Sequence, residues 1–132
     1  MKKYIYILFF CIVICTEYSE KYYSAMDTAL ELFNSSKTEN DYLKVTNQFY
    51  RISQVVKTDW LSSYYYAYCN TEISMLQDDP DIKELYLDKA FDILVPFDTL
   101  KFQEIDSLAL SEIHTLRAMI YVGKIFINPM IN

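Results

Sequence analysis

The stretch that decides the fold runs from Trp60 to Leu94 and reads WLSSYYYAYCNTEISMLQDDPDIKELYLDKAFDIL. Apolar side chains recur every three or four residues on both sides of residues 77–81, which places them along one side of an α-helix. We therefore predict two antiparallel helices joined by the polar segment QDDPD. A third apolar helix pattern follows from Leu110 to Tyr121 and includes the small residue Ala118. This order of elements is typical of superhelical repeat proteins that bind a partner.

The starts and ends of these helices can be predicted from local chemistry. Asp79 followed by Pro80 is typical of a helix start, because proline lacks only an amide hydrogen that the first turn does not use. Pro96 is expected to end that helix. Thr58 and Asp59 provide the N-cap of the helix that begins near Trp60.

Two more helices precede this pair. From Tyr22 an apolar stripe runs to Phe33 and ends at the polar residues 34–37; its members are Tyr22, Ala25, Met26, Ala29, Leu30 and Phe33. Thr38 and Asp41 form a variant of the capping box, and a second stripe follows. That stripe consists of Tyr42, Val45, Phe49, Ile52 and Val56. The short loop predicts that these two helices form a hairpin.

A fifth helix is predicted after a connector. In residues 97–105, Leu100 and Phe102 alternate with polar residues, which favours an ordered, extended connection. Asp106 and Ser107 then begin a helix that ends at Asn128 and Pro129, with the stripe Leu110, Ile113, Leu116 and Ile120, and Gly123 permitting a close neighbour. Five is an odd number for a fold of pairs. Either the last helix caps the stack or the domain continues past Asn132.

The N-terminus has the features of a secretory signal peptide. Lys2 and Lys3 precede an apolar run from Tyr4 to Cys15, followed by a polar segment. A bilayer-spanning helix needs about 20 apolar residues, more than this run contains. We predict a signal peptide over residues 1–15 and a helical domain over 16–132. The expected location is the periplasm or the cell envelope, with no membrane span after cleavage.

Two alternatives for the N-terminus stay open. An uncleaved apolar run would hold the protein in the inner membrane. A lipoprotein signal would place the lipid on Cys11 or Cys15, but the bulky residues Phe10 and Ile14 precede these cysteines, where such signals have a small residue. Identification of the mature N-terminal residue distinguishes these cases.

Composition limits the class of protein. The chain has 132 residues, 52% of them hydrophobic, with one glycine and three prolines, which suits one domain of closely packed helices. Its net charge is −6, and no cluster of Lys or Arg lies outside the N-terminal segment. Nucleic acid is therefore excluded as the expected partner, because its binding requires basic patches that neutralise phosphates.

The chain resembles tetratricopeptide-like helical-repeat proteins, of the exported kind found in Bacteroidetes-like bacteria. The resemblance rests on four stretches: Ser19-Glu20-Lys21-Tyr22, Trp60-Leu61-x-x-Tyr64-Tyr65-Tyr66-Ala67-Tyr68, Leu87-Asp88-Lys89-Ala90 and Ser111-Glu112 through Ala118 to Asn128-Pro129-Met130. It implies an all-α fold of antiparallel helix hairpins, stacked as a short array of about five helices. The usual glycine of the first repeat helix is absent, and the units exceed the standard 34 residues, so the array is divergent.

Catalytic and metal-binding patterns are absent from the sequence. His114 is the only histidine and has no partner at ligand spacing, so we expect an exposed helical residue. Asp78, Asp79 and Asp81 resemble part of a calcium loop, but Pro80 interrupts them, and helix capping explains them more simply. We predict no enzyme, no catalytic residues, no metal and no cofactor, and we expect Cys69 to be a small buried residue.

Tyrosine is the compositional outlier, with 13 residues in the chain. Tyr64, Tyr65, Tyr66 and Tyr68 point in successive directions around one helix, so they do not all face the same core. Tyrosine and tryptophan are enriched at interfaces, and we name four candidate contacts for a protein or peptide partner: Trp60, Tyr64, Tyr65 and Tyr68. They would belong to the face formed by the first, third and fifth helices. The alternative is that these tyrosines only pack helices together.

A second function is a carrier of a hydrophobic small molecule or lipid. In this alternative, the aromatic third helix and the residues Phe91, Leu94 and Phe102 would enclose a pocket. A carrier should retain its ligand during purification, whereas a protein-binding scaffold should not.

Overall fold

Five α-helices and one short 3-10 helix make up the part of the chain that the structure describes. The structure is a computed structural model that covers residues 2–56, 59–99 and 106–127, with the backbone alone for 2–18 and 98–99. The elements are α1 (Lys2–Ser35), α2 (Glu39–Val55), α3 (Trp60–Met75), α4 (Pro80–Leu94), a 3-10 helix (Val95–Thr99) and α5 (Ser107–Ile127). Over these residues there is no strand, and the all-α prediction is confirmed.

Three helices begin at the predicted caps. Thr38 and Asp41 form the complete capping box of α2: the Asp41 N–H donates to the Thr38 hydroxyl, and the Thr38 N–H donates to the Asp41 carboxylate. The carboxylates of Asp59 and Asp79 each accept two backbone N–H groups in the first turns of α3 and α4. Pro80 occupies the first turn of α4. These contacts satisfy donors that a helix start otherwise leaves unpaired.

The first helix is longer than the apolar stripe from Tyr22 predicts, because it begins at Lys2. No glycine or proline precedes Pro80, so nothing in the sequence interrupts it. Ala25, which we assigned to the buried stripe, is exposed, whereas Met26 and Ala29 are buried as predicted. The side chains of residues 1–15, the predicted signal peptide, lie outside the described set. Over the residues that are described, none of the helices has the combined length and apolar character that crossing a bilayer requires.

Each helix packs against the next one along the chain, and α3 also packs against α5. The buried apolar residues form two clusters that meet at α3. The first cluster, between α3, α4 and α5, contains Ala67, Leu87, Ala90, Leu94, Phe97, Ala109, Leu110, Ile113, Leu116 and Ile120. The second, between α1, α2 and α3, contains Met26, Ala29, Val45, Phe49 and Cys69. Helix α3 is therefore flanked on two sides.

The contact between α4 and α5 depends on a glycine. A Cβ atom at Gly123 would lie 3.0 Å from Cδ1 of Leu87, so any larger residue would crowd that buried side chain. Nearer the start of α5, the guanidinium of Arg117 donates to the backbone carbonyl of Leu94 at the end of α4. The ammonium of Lys124 pairs with the Asp88 carboxylate. These contacts show that α5 runs antiparallel to α4.

The connector prediction is wrong where the structure describes it. Residues 95–99 form a 3-10 helix instead of an extended segment. Proline at position 96 fits the backbone angles of a 3-10 turn, and Phe97 is buried in the first cluster, which fixes the turn in place. Thr58, residues 100–105, which include Phe102, and the predicted break at Asn128 and Pro129 lie outside the described residues.

Candidate functional site

A line of side chains runs along one side of α3. Trp60, Tyr64, Tyr68, Thr71 and Met75 follow one another at intervals of three or four residues, so they share one stripe of the helix. The three aromatic residues are half-buried against the first cluster. Met75, at the end of the stripe, is 59% exposed.

A matching line of side chains runs along α5. Glu112, Met119, Val122 and Phe126 recur at helical spacing on the flank that faces α3. The hydroxyl of Tyr64 donates to Oε2 of Glu112 at 3.2 Å, which aligns the two lines. We call the strip of surface bordered by these two lines the α3–α5 groove.

The groove widens into a cavity at the C-terminal ends of α3 and α5. The cavity has a volume of about 670 Å³. It is lined by Ser74, Met75, Pro80, Lys83, Leu87, Thr115, Ala118, Met119, Val122, Gly123, Phe126 and Ile127. Nine of these twelve residues are apolar. Val122 is 50% exposed and Phe126 is 82% exposed, so this wall of the cavity is open to solvent.

Three of the four predicted contact residues lie on the α3 line, and none of the four lines the cavity. Trp60 and Tyr64 are neighbours, with ring centroids 6.0 Å apart, and Tyr68 lies 6.2 Å beyond Tyr64. Tyr68 also contacts Phe33 of α1, with centroids 5.5 Å apart. The aromatic row therefore spans α1 and α3 and reaches α5 through Glu112.

The fourth predicted residue, Tyr65, points elsewhere. Its ring stacks on Phe49 of α2 with centroids 5.1 Å apart and meets Phe33 edge-on at 5.3 Å. It belongs to the second cluster together with Tyr66. The prediction that the consecutive tyrosines cannot share one core is confirmed: Tyr65 packs in the second cluster, edge-on to Tyr64 with ring centroids 5.4 Å apart.

The phenols of the groove are neutral at physiological pH. Burial, with the nearby Glu112 carboxylate, raises the pKa of Tyr64 to about 12. Burial also raises the pKa of Tyr68, and its hydrogen bond to Glu72 adds to the effect. The groove thus offers apolar and aromatic surface with hydroxyl groups at its edge, which suits binding by contact and hydrogen bonding.

The structure also shows the positions of Cys69, Asp79 and His114, which were discussed from the sequence. Burial raises the pKa of the Cys69 thiol to about 12, and the side chain is fully buried, as predicted. Asp79 caps α4, which confirms capping as the role of that aspartate. His114 is exposed on α5. Among the described residues, no group of three or more His, Cys, Asp or Glu is placed to hold a metal ion.

Of the pocket residues proposed for a carrier, Phe91 and Leu94 do not line the cavity. Leu94 is fully buried in the first cluster. Phe91 packs against the ring of Tyr121, with centroids 5.4 Å apart, and lies beneath the ammonium of Lys124. Phe102 is outside the described residues.

Sequence reasoning missed the residues that do form the wall on α5. Met119, Val122 and Phe126 are apolar, yet they lie off the stripe that we assigned to the core. Apolar residues on the second side of this helix were the available signal.

No family model matches the chain, and comparisons with curated proteins and with solved structures give no match either. The candidate site is therefore defined by the geometry of the described residues.

Proposed function

We propose that the protein is a non-enzymatic scaffold for protein–protein interaction, exported to the periplasm or cell envelope, built as a divergent tetratricopeptide-like array. The observation that supports this function is the α3–α5 groove. Its aromatic and apolar walls run from Trp60 to Phe126: the aromatic wall on α3 is half-buried, and the wall on α5 is open to solvent, with Val122 50% and Phe126 82% exposed. Contiguous exposed apolar surface of this kind is typical of interaction sites.

A protein or peptide partner suits the composition of the groove. Tyrosine and tryptophan bury large areas at low entropic cost, and their polar tips form hydrogen bonds at the edge of an interface. The groove also follows the face of α1, α3 and α5, which lines the inner, partner-binding surface in stacked helical repeats.

The test is affinity capture from the native envelope with three forms of the protein as bait. Met119→Glu introduces a charge on the groove wall, at a residue that is 38% exposed. Leu85→Glu makes the same kind of change on α4, outside the cavity lining, at a residue that is 51% exposed. We expect the wild type and the Leu85 variant to capture the same partner in equal amount. The Met119 variant should capture at least tenfold less of it. Equal capture by all three forms would contradict the proposal.

The predicted tyrosine contacts require a milder change, because each of these side chains is half-buried. Tyr64→Phe retains the ring and removes only the hydroxyl that contacts Glu112. We expect weaker capture at an unchanged melting temperature. Tyr65→Ala should instead lower the melting temperature, because it removes the stacking on Phe49.

A carrier of a hydrophobic molecule is the second candidate function. The observation in its favour is the cavity of about 670 Å³, which lies within the usual range of about 300–1,000 Å³ for small-molecule sites. Extraction of the purified protein followed by mass spectrometry tests this function, since a carrier should yield a retained ligand in stoichiometric amount.

A further inference from the structure

The cavity at the end of the α3–α5 groove contains a single cationic side chain, that of Lys83. We propose that this cavity binds a single-chain amphiphile with an anionic head group, with the head at Lys83 and the aliphatic chain along α5. This inference rests on the carrier function and adds the chemical class of the ligand.

The position of Lys83 follows from the packing of α4 on α5. Lys83 lies in the first turn of α4, one turn before Leu87, whose side chain contacts Gly123. Because the two helices are antiparallel, Lys83 is level with Phe126 and Ile127 at the end of α5. It therefore lies at one end of the cavity.

The charge of Lys83 is available to a ligand. In the described part of the chain, no carboxylate lies within ion-pair distance of its ammonium group; the ion pair on this side of α4 joins Lys124 to Asp88. Three carboxylates lie within four residues of Lys83 in the sequence, and one of them, Glu84, is the next residue of the helix, so the two side chains do not face each other. Asp79 uses its side chain to cap α4, and Asp81 is exposed.

The other polar side chains of the cavity are already engaged. The hydroxyl of Ser74 donates to the carbonyl of Thr71 at 2.7 Å, and the hydroxyl of Thr115 donates to the carbonyl of Ser111 at 2.8 Å. Each bond lies within its own helix. Lys83 is therefore the lining side chain that supplies a positive charge for an anionic head group, and most of the remaining wall is apolar.

The apolar wall is long enough to accommodate an aliphatic chain. From Phe126 to Thr115 the lining follows α5 over eleven residues, or about 16 Å of helix. Leu87 forms the buried floor, and the flexible side chains of Met75 and Met119 can adapt to the outline of a chain.

The first experiment compares dodecanoate with dodecanol, below their aggregation concentrations, by calorimetry on the full chain. We expect dodecanoate to bind roughly two- to fivefold more tightly at low salt, because it gains a partly exposed ion pair. Lys83→Met should remove this difference. Lys89→Met is the matched control, because the Lys89 ammonium lies over the Tyr86 ring and is not part of the cavity.

The length of the aliphatic chain of the ligand should also affect the affinity. Each methylene that is buried strengthens binding by roughly fourfold, so decanoate should bind roughly fifteenfold more weakly than dodecanoate. Ala118→Phe fills the cavity at an exposed lining position and should weaken both dodecanoate and dodecanol by at least tenfold. Ala25→Phe, at an exposed position on α1, should leave both affinities unchanged.

The outcomes separate the inference from the function on which it rests. If acid and alcohol bind equally to the wild type, or if Lys83→Met has no effect, the anionic head group is wrong while the carrier function stands. The carrier function and the inference are both overturned if neither probe binds. They are also overturned if binding does not saturate and the Ala118→Phe substitution leaves it unchanged. Loss of a protein partner by the Met119→Glu bait, together with no probe binding, would assign the groove to protein alone.

Discussion

At the scale of single residues, the confirmed predictions concern residues whose role depends on the adjacent positions in the sequence or on a small side chain. Asp79 caps its helix, Cys69 is buried and Gly123 lies at a close contact, each as its type and position indicate. Tyr65 differs because its environment depends on Phe33 and Phe49, which belong to other helices. A side chain with a large ring can suit either an interface or a core, and only its neighbours distinguish them.

Gly123 supports the first prediction at this scale. Gly123→Val should lower the free energy of unfolding by about 1–3 kcal/mol, because the added atoms would crowd the buried side chain of Leu87. Chemical denaturation monitored by circular dichroism measures this change.

Ala118→Val is the matched control for this change. It introduces the same side chain in the same helix, at an exposed position. Helix propensity alone would favour valine over glycine and disfavour it relative to alanine. A larger loss of stability in the Ala118 variant than in the Gly123 variant would show that the close contact with Leu87 does not limit packing.

At the scale of elements, helix starts were more predictable than helix lengths. The caps at Thr38, Asp59 and Asp79 are local hydrogen-bonding patterns, and each begins a helix where predicted. The extent of α1 and the 3-10 turn after Leu94 were not predicted. Both depend on where the helical backbone conformation begins, changes or ends, and the pattern of polar and apolar residues does not determine this.

The capping box of α2 gives a pH-dependent prediction. The hydrogen bonds from Thr38 and from the Lys37 backbone lower the pKa of Asp41 below its ordinary value of 3.8. A carboxylate whose pKa is lowered by folding adds stability above that ordinary value, and this stability is lost as the pH falls through the lowered pKa. Thr38→Ala should therefore raise the pKa of Asp41 and reduce the loss of stability below about pH 4.

NMR titration of Asp41 measures this effect, and thermal melts between pH 2 and pH 7 report its consequence. At neutral pH, Thr38→Ala should lower the melting temperature by a few degrees. Thr28→Ala, inside α1, should not, because Thr28 is exposed and bonds only within its own helix. An unchanged Asp41 titration in the Thr38 variant would contradict the assigned cause of the pKa shift.

At the scale of the whole molecule, α3 joins two clusters into one core. Ala67 belongs to the cluster shared with α4 and α5, and Cys69 belongs to the cluster shared with α1 and α2. Both residues are fully buried. Because one helix contributes to both clusters, loss of packing on one side should destabilise the other side as well.

Trp60, the only tryptophan, makes this coupling measurable. It packs against the first cluster, whereas Phe49 is fully buried in the second. Phe49→Ala should lower the free energy of unfolding by about 3–5 kcal/mol, because it leaves a cavity. Tryptophan fluorescence and circular dichroism should then shift together as denaturant is added.

Phe126→Ala is the control, since the same substitution at an 82% exposed residue should cost less than about 1 kcal/mol. The two clusters would unfold separately if, in the Phe49 variant, the midpoint of the Trp60 fluorescence transition is unchanged while the midpoint measured by circular dichroism shifts to lower denaturant.

Helix number, helix order and the caps follow from spacing and from short polar patterns, because both act within a few residues of the chain. The α3–α5 groove could not be read in this way. Tyr64 and Glu112 are 48 residues apart in the chain, and Lys83 reaches the cavity only because α4 runs antiparallel to α5. Which faces remain uncovered, and which side chains meet there, depends on how the helices pack, and packing is a property of the folded chain as a whole.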